Sequence, residues 1–265
     1  MTNRKSNLED NIMVINVGLC VDKGGVEKND DRVLADSSVY DVGNVFLKAS
    51  TPVIVAVADG VGGRRNGGQA ANYILDKTGK IELPLSEEKL AKELNNINLS
   101  LCKEKEEANK KDEMFTTVAG VVFQDDSTLI FHSGDSRVYR FDGNNLRKMT
   151  YDHSTVQEMV DLNFIVDETE IETDGRNCIT RYYGDTNVLP SEIREIKVSI
   201  KDKETYVICS DGVWDNILVE EMKNILISEI KNEIKAKEII CRAKENGSKD
   251  NLSVCVCTLG ESGEL

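Results

Sequence analysis

Val53-Ile54-Val55-Ala56-Val57-Ala58-Asp59-Gly60-Val61-Gly62-Gly63 is the stretch on which the reading of the chain turns. Six apolar residues run without a break, and four of the six are Val or Ile, the pattern of a strand covered on both faces. The run stops on a carboxylate, and glycines follow at once. An acidic side chain at the mouth of a buried strand stands on a rigid support, and the glycines let the backbone turn sharply and approach a ligand. Taken alone, this is also how an ordinary strand and turn are written. The design recurs: Thr205–Cys209 leads into Ser210-Asp211-Gly212, Thr128–His132 leads into Ser133-Gly134-Asp135, and Asp250-Asn251 opens a strand over 252–258.

Working outward, Val14 to Val21 reads as a first strand, followed by Asn29-Asp30-Asp31 and a short apolar return at Val33–Ala35. Residues 36–52 are mixed and loop-like. Residues 69–77 read as a helix with Ala70, Ala71, Ile74 and Leu75 on one side. Residues 86–111 read as a longer one, because Leu90, Leu94, Ile97 and Leu101 line one face. Thr116–Phe123 and Thr128–His132 form a hairpin about Asp125-Asp126, and Val138–Phe141 is followed by a turn at Asp142-Gly143-Asn144-Asn145. Helices are expected over 218–230 and 236–243. Strands in both halves with helices between groups of them favour α+β, with packed sheets and helices outside, over strict βαβ alternation. One domain over 12–260 is the economical division, with polar tails at 1–11 and 261–265 and a weakly periodic region at 155–190.

The totals exclude several classes. With 33 Lys and Arg against 47 Asp and Glu, the net charge of −14 repels nucleic-acid backbones and anionic membranes. No stretch approaches the roughly 20 apolar residues of a bilayer span. The seven cysteines are irregularly spaced and sit mostly in apolar runs, which suits reduced thiols in the cytoplasm. None is followed by Arg six residues later, the spacing of a cysteine-based phosphatase. There are only two histidines, His132 and His153, so a His-rich metal site is excluded, and both read as structural. Neither a Walker phosphate loop nor a Rossmann fingerprint is present.

If the strand ends converge, Asp30, Asp31, Asp59, Asp135, Asp211 and Asp250 share one small site. Like charges at close range raise one another's pKa, and a divalent cation removes that cost. Oxygen-only donors point to Mg²⁺ or Mn²⁺ rather than zinc or copper. Two such ions about 4 Å apart bridge a water, lower its pKa and clamp a phosphoryl oxygen, which implies hydrolysis at phosphorus without a covalent intermediate.

Eight motifs then stand in order between about residues 14 and 258: Asn29-Asp30-Asp31, Ala58–Gly63, Thr116-Thr117, Gly134-Asp135-Ser136-Arg137, Thr150–Ser154, Ile179-Thr180-Arg181, Cys209-Ser210-Asp211-Gly212 and Asp250-Asn251. In these the chain resembles the metal-dependent protein phosphatase 2C family of serine/threonine phosphatases, its bacterial type in particular. The resemblance implies a β-sandwich of two antiparallel sheets flanked by helices, in four αββα layers. It implies that Asp59 bridges two ions, that the Gly60 carbonyl adds a second contribution from the same turn, and that Asp211 and Asp250 complete the ligands of one ion. Asp31 corresponds to the acidic residue that holds the other ion through water, with Asp30 beside it, and Asp135 to the position that helps bind a third. Residues 155–190 correspond to a flap that influences substrate access. The implied partners are phosphoserine and phosphothreonine proteins, targets of a cognate Ser/Thr kinase, and the implied state is a monomer.

The chain departs from the family at two places. Val61 stands where animal members carry a His, so no protein general acid is identified. Val26 stands where the family places a phosphate-gripping Arg, and Val cannot donate a hydrogen bond. Arg64, Arg65, Lys28 and Arg32 are the nearby cations that could replace it. The alternative is a pseudophosphatase, a module that binds metal and phosphoprotein with little turnover.

Overall fold

The computed structural model of the chain describes residues 13–61, 66–109, 113–167, 178–187, 191–197 and 204–260. One sheet holds β4 (Gly43–Ser50), β1 (Val14–Asp22), β12 (Leu252–Gly260), β11 (Thr205–Cys209), β8 (Arg137–Phe141) and β9 (Leu146–Lys148), in that order. The other holds β10 (Glu192–Lys197), β7 (Ser127–Ser133), β6 (Val118–Phe123), β5 (Val53–Ala58), β2 (Arg32–Ala35) and β3 (Ser38–Tyr40). Every pairing is antiparallel. Helices α1 (Gly67–Thr78) and α2 (Glu87–Glu107) cover the second sheet. The short α3 (Thr155–Asp161) and α4 (Asp211–Trp214) follow strand ends, and α5 (Val219–Ile227) and α6 (Asn232–Glu245) cover the first sheet.

β5 shows why its sequence carries no alternation. Val53, Val55 and Val57 enter the core between the sheets, while Ile54, Ala56 and Ala58 enter the core under α1 and α2. Both faces of the strand are dry, so both sets of residues are apolar. Three cores stacked in this way make the expected αββα sandwich. The helix stripes also hold: Ala70, Ala71, Ile74 and Leu75 of α1, and Leu90, Leu94, Ile97 and Leu101 of α2, are buried. Ser86 caps α2 by accepting from the Lys89 amide at 3.3 Å. No described helix is long and apolar enough to cross a membrane.

Residues 36–52 correct the loop-like reading, for they hold the whole of β3 and β4. Asp36 and Ser37 take φ of 46° and 63°, and so turn β2 directly into β3. Both strands lie at sheet edges and are largely exposed or half-buried, so no hydrophobic pattern betrays them. β9 and β10 are edge strands missed for the same reason.

The registers bring the acidic strand ends to one end of the sandwich. Arg32 pairs with Ala58, so Asp31 and Asp59 emerge side by side. Cys209 pairs with Val254, and Leu252 with Asp22, so Asp211 and Asp250 emerge together on the facing sheet. Asp135 lies where the chain passes from β7 in one sheet to β8 in the other.

Candidate metal centre

Asp30, Asp59, Asp135, Asp211 and Asp250 line a cleft of about 560 Å³, with Gly60 beside them. Asp31 is fully buried. The turn bearing Asp59 is held from below: Thr117 accepts from the Asp59 amide through its hydroxyl at 3.2 Å and donates its own amide to the Asp59 carbonyl at 2.8 Å. The Thr116 hydroxyl donates to the same carbonyl at 2.8 Å. Gly60 is forced by close approach, because a Cβ there would lie 2.3 Å from the Gly67 backbone carbon. Gly212 is forced likewise, its Cβ position falling 2.0 Å from the Asn251 carbonyl oxygen. Asn251 locks the outer loop: it donates to the carbonyls of Lys23 and Lys28 at 2.9 Å and accepts from the Asp30 amide at 2.8 Å. Two residues beyond Asp135, Arg137 forms a buried ion pair with Asp152 at 2.5 Å, and its guanidinium lies 3.3 Å from the Trp214 ring centre.

The electrostatics are those of a site short of positive charge. Burial pushes the Asp31 carboxyl up to about 7, and the Asp211 and Asp250 charges add to the shift against hydrogen bonds from Ser210 and Ser253. Burial also drives Asp59 well above the usual carboxylate range, reinforced by the charges of Asp31 and Asp211. Asp135 is driven up by burial and by Asp211, and Asp211 by burial and by Asp250. Asp59 and Asp211 interact closely enough to titrate as a pair, and burial holds both above the usual carboxylate range. The Ser210 hydroxyl donates to Asp31 Oδ2 at 2.7 Å, yet the buried Oδ1 has no partner among the described residues. A buried carboxyl oxygen with no partner behind a crowded set of carboxylates, with oxygen donors only, fits a hard divalent cation, which would favour their charged forms.

The predicted residues divide clearly. Asp59, Gly60, Asp135, Asp211 and Asp250 line the cleft, and Asp31 stands behind it. Asp30 lines it too, while its Oδ1 accepts from the Gly68 amide at the start of α1 at 3.0 Å. Lys28 lines the cleft beside Val26. Arg32 does not: its Nη1 donates to the carbonyls of Asn29 at 2.8 Å and Asp31 at 2.7 Å, and the side chain faces a separate groove against α1. Arg64 and Arg65 lie outside the described residues. Sequence reasoning gave no role to Thr117, Ser210 or Asn251. All three nevertheless stand in the motifs that carry the resemblance, each within one or two residues of a strand-end Asp or its partner strand.

The profile of the family described as Protein phosphatase 2C matches residues 41–253. The chain belongs to the protein phosphatase 2C family. As a member it is a phosphoprotein phosphatase, a hydrolase. A serine/threonine phosphatase stp of Listeria welshimeri is 29% identical over 222 residues, covering 81% of this chain and 87% of that protein. The solved structure of the serine/threonine phosphatase Stp1 from Staphylococcus aureus superposes with a TM-score of 0.79 at 23% identity, covering 92% of this chain and 94% of the other. The catalytic domain of the serine threonine protein phosphatase PstP, solved in complex with two manganese ions, superposes with a TM-score of 0.76 at 24% identity, covering 94% of this chain and 100% of the other. At these identities the two structures speak for the fold.

Proposed function

We propose that this chain hydrolyses phosphoserine and phosphothreonine esters of proteins at the acidic cleft, with Mn²⁺ or Mg²⁺ held by Asp59, the Gly60 carbonyl, Asp211 and Asp250. Asp31 and the adjacent Asp30 support the second ion, and Asp135 supports a third. The convergence of carboxylates from separate strand ends on one cleft carries this reading. The two manganese ions of the PstP structure support a pair of ions here. When bound, such ions would supply a water of lowered pKa and offset the phosphoryl charge, the chemistry of hydrolysis at phosphorus without a covalent intermediate.

The chain's own residues set the geometry. Thr116 and Thr117 fix the Asp59 turn, Ser210 fixes Asp31, and Asn251 holds the loop that carries Val26 and Lys28 over the cleft. Lys28 is the one Lys or Arg among the described residues that line the cleft, and we assign it part of the grip on the phosphate. Arg64 and Arg65 remain proposed contributors. Val61 offers no proton, so the leaving alkoxide takes its proton from water. We take residues 12–260 as one working unit, a cytoplasmic monomer whose 155–190 region, of which 168–177 and 188–190 lie outside the described residues, acts as a flap and whose substrates are products of a cognate Ser/Thr kinase. Ile179 supports the flap assignment, since it lines the cleft.

One observation favours the second reading. Val26 is 39% exposed at the cleft, where an apolar side chain cannot hold a phosphate. A pseudophosphatase would bind metal and phosphopeptide without turnover. The deciding experiment is phosphate release from a phosphothreonine peptide by the pure protein with Mn²⁺, without it, and after chelation. Metal-dependent turnover supports the enzyme, and binding without turnover supports the alternative.

A further inference from the structure

Outside the cleft, His132, His153 and Glu192 bring their donor atoms within 4.8 Å of one another. The trio looks like a metal site, but its hydrogen bonds say otherwise. His153 Nδ1 accepts from the Gly134 amide at 3.1 Å. Burial and the neighbouring His132 ring push His153 down to about 4, so the ring is neutral near pH 7 and its one proton sits on Nε2. That nitrogen is 3.2 Å from Glu192 Oε1, off the angle of a full hydrogen bond, and with a proton on it has no lone pair for a cation. The two imidazoles stack at 4.6 Å with only 5° between planes. Lone pairs lie in the ring planes, so parallel stacked rings cannot both aim at one ion.

The trio instead joins two parts of the fold. His153 is bonded to Gly134 twice, because its amide also donates to the Gly134 carbonyl at 3.0 Å. Gly134 immediately precedes Asp135. On the other side, Glu192 Oε1 accepts from Arg181 Nη1 at 2.9 Å. The segment carrying Arg181 is laid directly on His153: the Thr180 amide donates to the His153 carbonyl at 2.8 Å, and Ser154 bridges Ile179. The same segment reaches Thr116, with the Tyr183 amide donating to the Thr116 carbonyl at 2.8 Å. Ile179 borders the cleft.

We propose that Glu192 is a positioning residue for the Asp135 carboxylate: through His153 it fixes the Gly134–Asp135 turn, and through Arg181 it ties that turn to the Ile179 segment at the cleft edge. The proposal rests on the reading of Asp135 as a metal ligand. It makes access to the cleft and the placement of the Asp135 carboxylate two ends of one brace. The brace requires an acceptor oxygen at 192, because the same oxygen accepts from the Arg181 guanidinium and lies 3.2 Å from the His153 Nε2.

The test compares Glu192→Ala, Glu192→Gln and Arg181→Ala with the parent. The amide exchange rate of Gly134 is read by NMR in the metal-free protein, and Mn²⁺ binding by calorimetry. Glu192→Ala is expected to speed Gly134 exchange about tenfold by loosening the turn locally. It is also expected to weaken the weakest Mn²⁺ step by about tenfold, the usual size for losing a partner that orients a ligand, while the tighter steps hold. Glu192→Gln keeps an acceptor oxygen and should restore most of both. Arg181→Ala should speed exchange at Thr180 more than at Gly134. Unchanged Gly134 exchange in Glu192→Ala, or an unchanged weak Mn²⁺ step, overturns the proposal. Neither readout needs turnover, so a parent protein that binds Mn²⁺ but hydrolyses nothing defeats the phosphatase reading without touching this one.

Discussion

Replacing Asp31 by Asn should make the metal-free protein more stable at alkaline pH and less responsive to metal. Asp31 is fully buried, and its carboxyl is pushed from 3.8 to about 7. Because the folded value lies above the unfolded one, the folded chain binds the extra proton. The contribution to stability is full below about pH 4 and is lost as pH rises through about 7. That rise corresponds to about 4 kcal/mol, shared with the neighbouring carboxylates that titrate with it. Asn is an uncharged isostere that still accepts from the Ser210 hydroxyl. With chelator present, the variant should therefore exceed the parent by about 2–4 kcal/mol near pH 8 and match it within about 1 kcal/mol near pH 4. Urea unfolding followed by the fluorescence of the sole tryptophan, Trp214, reads this directly. Saturating Mn²⁺ should reverse the order, because the parent gains the larger linkage stabilisation. A parent equally stable at both pH values without metal, or a variant weaker than the parent near pH 8, would refute the reasoning.

Asp135→Ala should reduce turnover chiefly at limiting Mn²⁺, with the parent's rate approached at high metal; a metal response identical to the parent's removes Asp135 from the ligand set. Lys28→Gln should raise the KM for a phosphothreonine peptide and weaken inhibition by inorganic phosphate, each by about tenfold, the worth of one charge-assisted contact. Val26→Arg should restore both in the Lys28→Gln background, and steady-state kinetics on the two variants checks it. Unchanged kinetics in Lys28→Gln would shift the phosphate grip to Arg64 or Arg65.

Much of this site was legible in the sequence because its chemistry sits on the most strongly patterned elements. Asp59 and Asp211 end strands that are dry on both faces, so each carboxylate is flagged by an unbroken apolar run. What stayed hidden lies at sheet edges and in side-chain pairing. β3, β4, β9 and β10 are edge strands; the mixed residues of the first two read as loop, and the last two showed no pattern to assign. The two histidines read as structural, and the structure keeps them so, yet nothing in the spacing of 132, 153 and 192 announces that cross-strand register and a loop bring them together. Arg32 and Lys28 flank the same motif and look equivalent in sequence. Only the fold distinguishes them, because β2 turns Arg32 back onto the carbonyls of Asn29 and Asp31 and leaves Lys28 at the cleft.

The central claim is that the carboxylate cluster is a metal-dependent phosphatase centre with Asp59 at its heart. Turnover of a phosphothreonine peptide at saturating Mn²⁺, measured side by side for the parent and a folded Asp59→Asn variant, tests it most directly. The account predicts that the parent's turnover vanishes on chelation and returns with Mn²⁺. It predicts that the variant falls by at least about a hundredfold, because Asn removes the charge expected to bridge both ions. Parent turnover that survives chelation, or a variant that keeps the parent's rate, would contradict it.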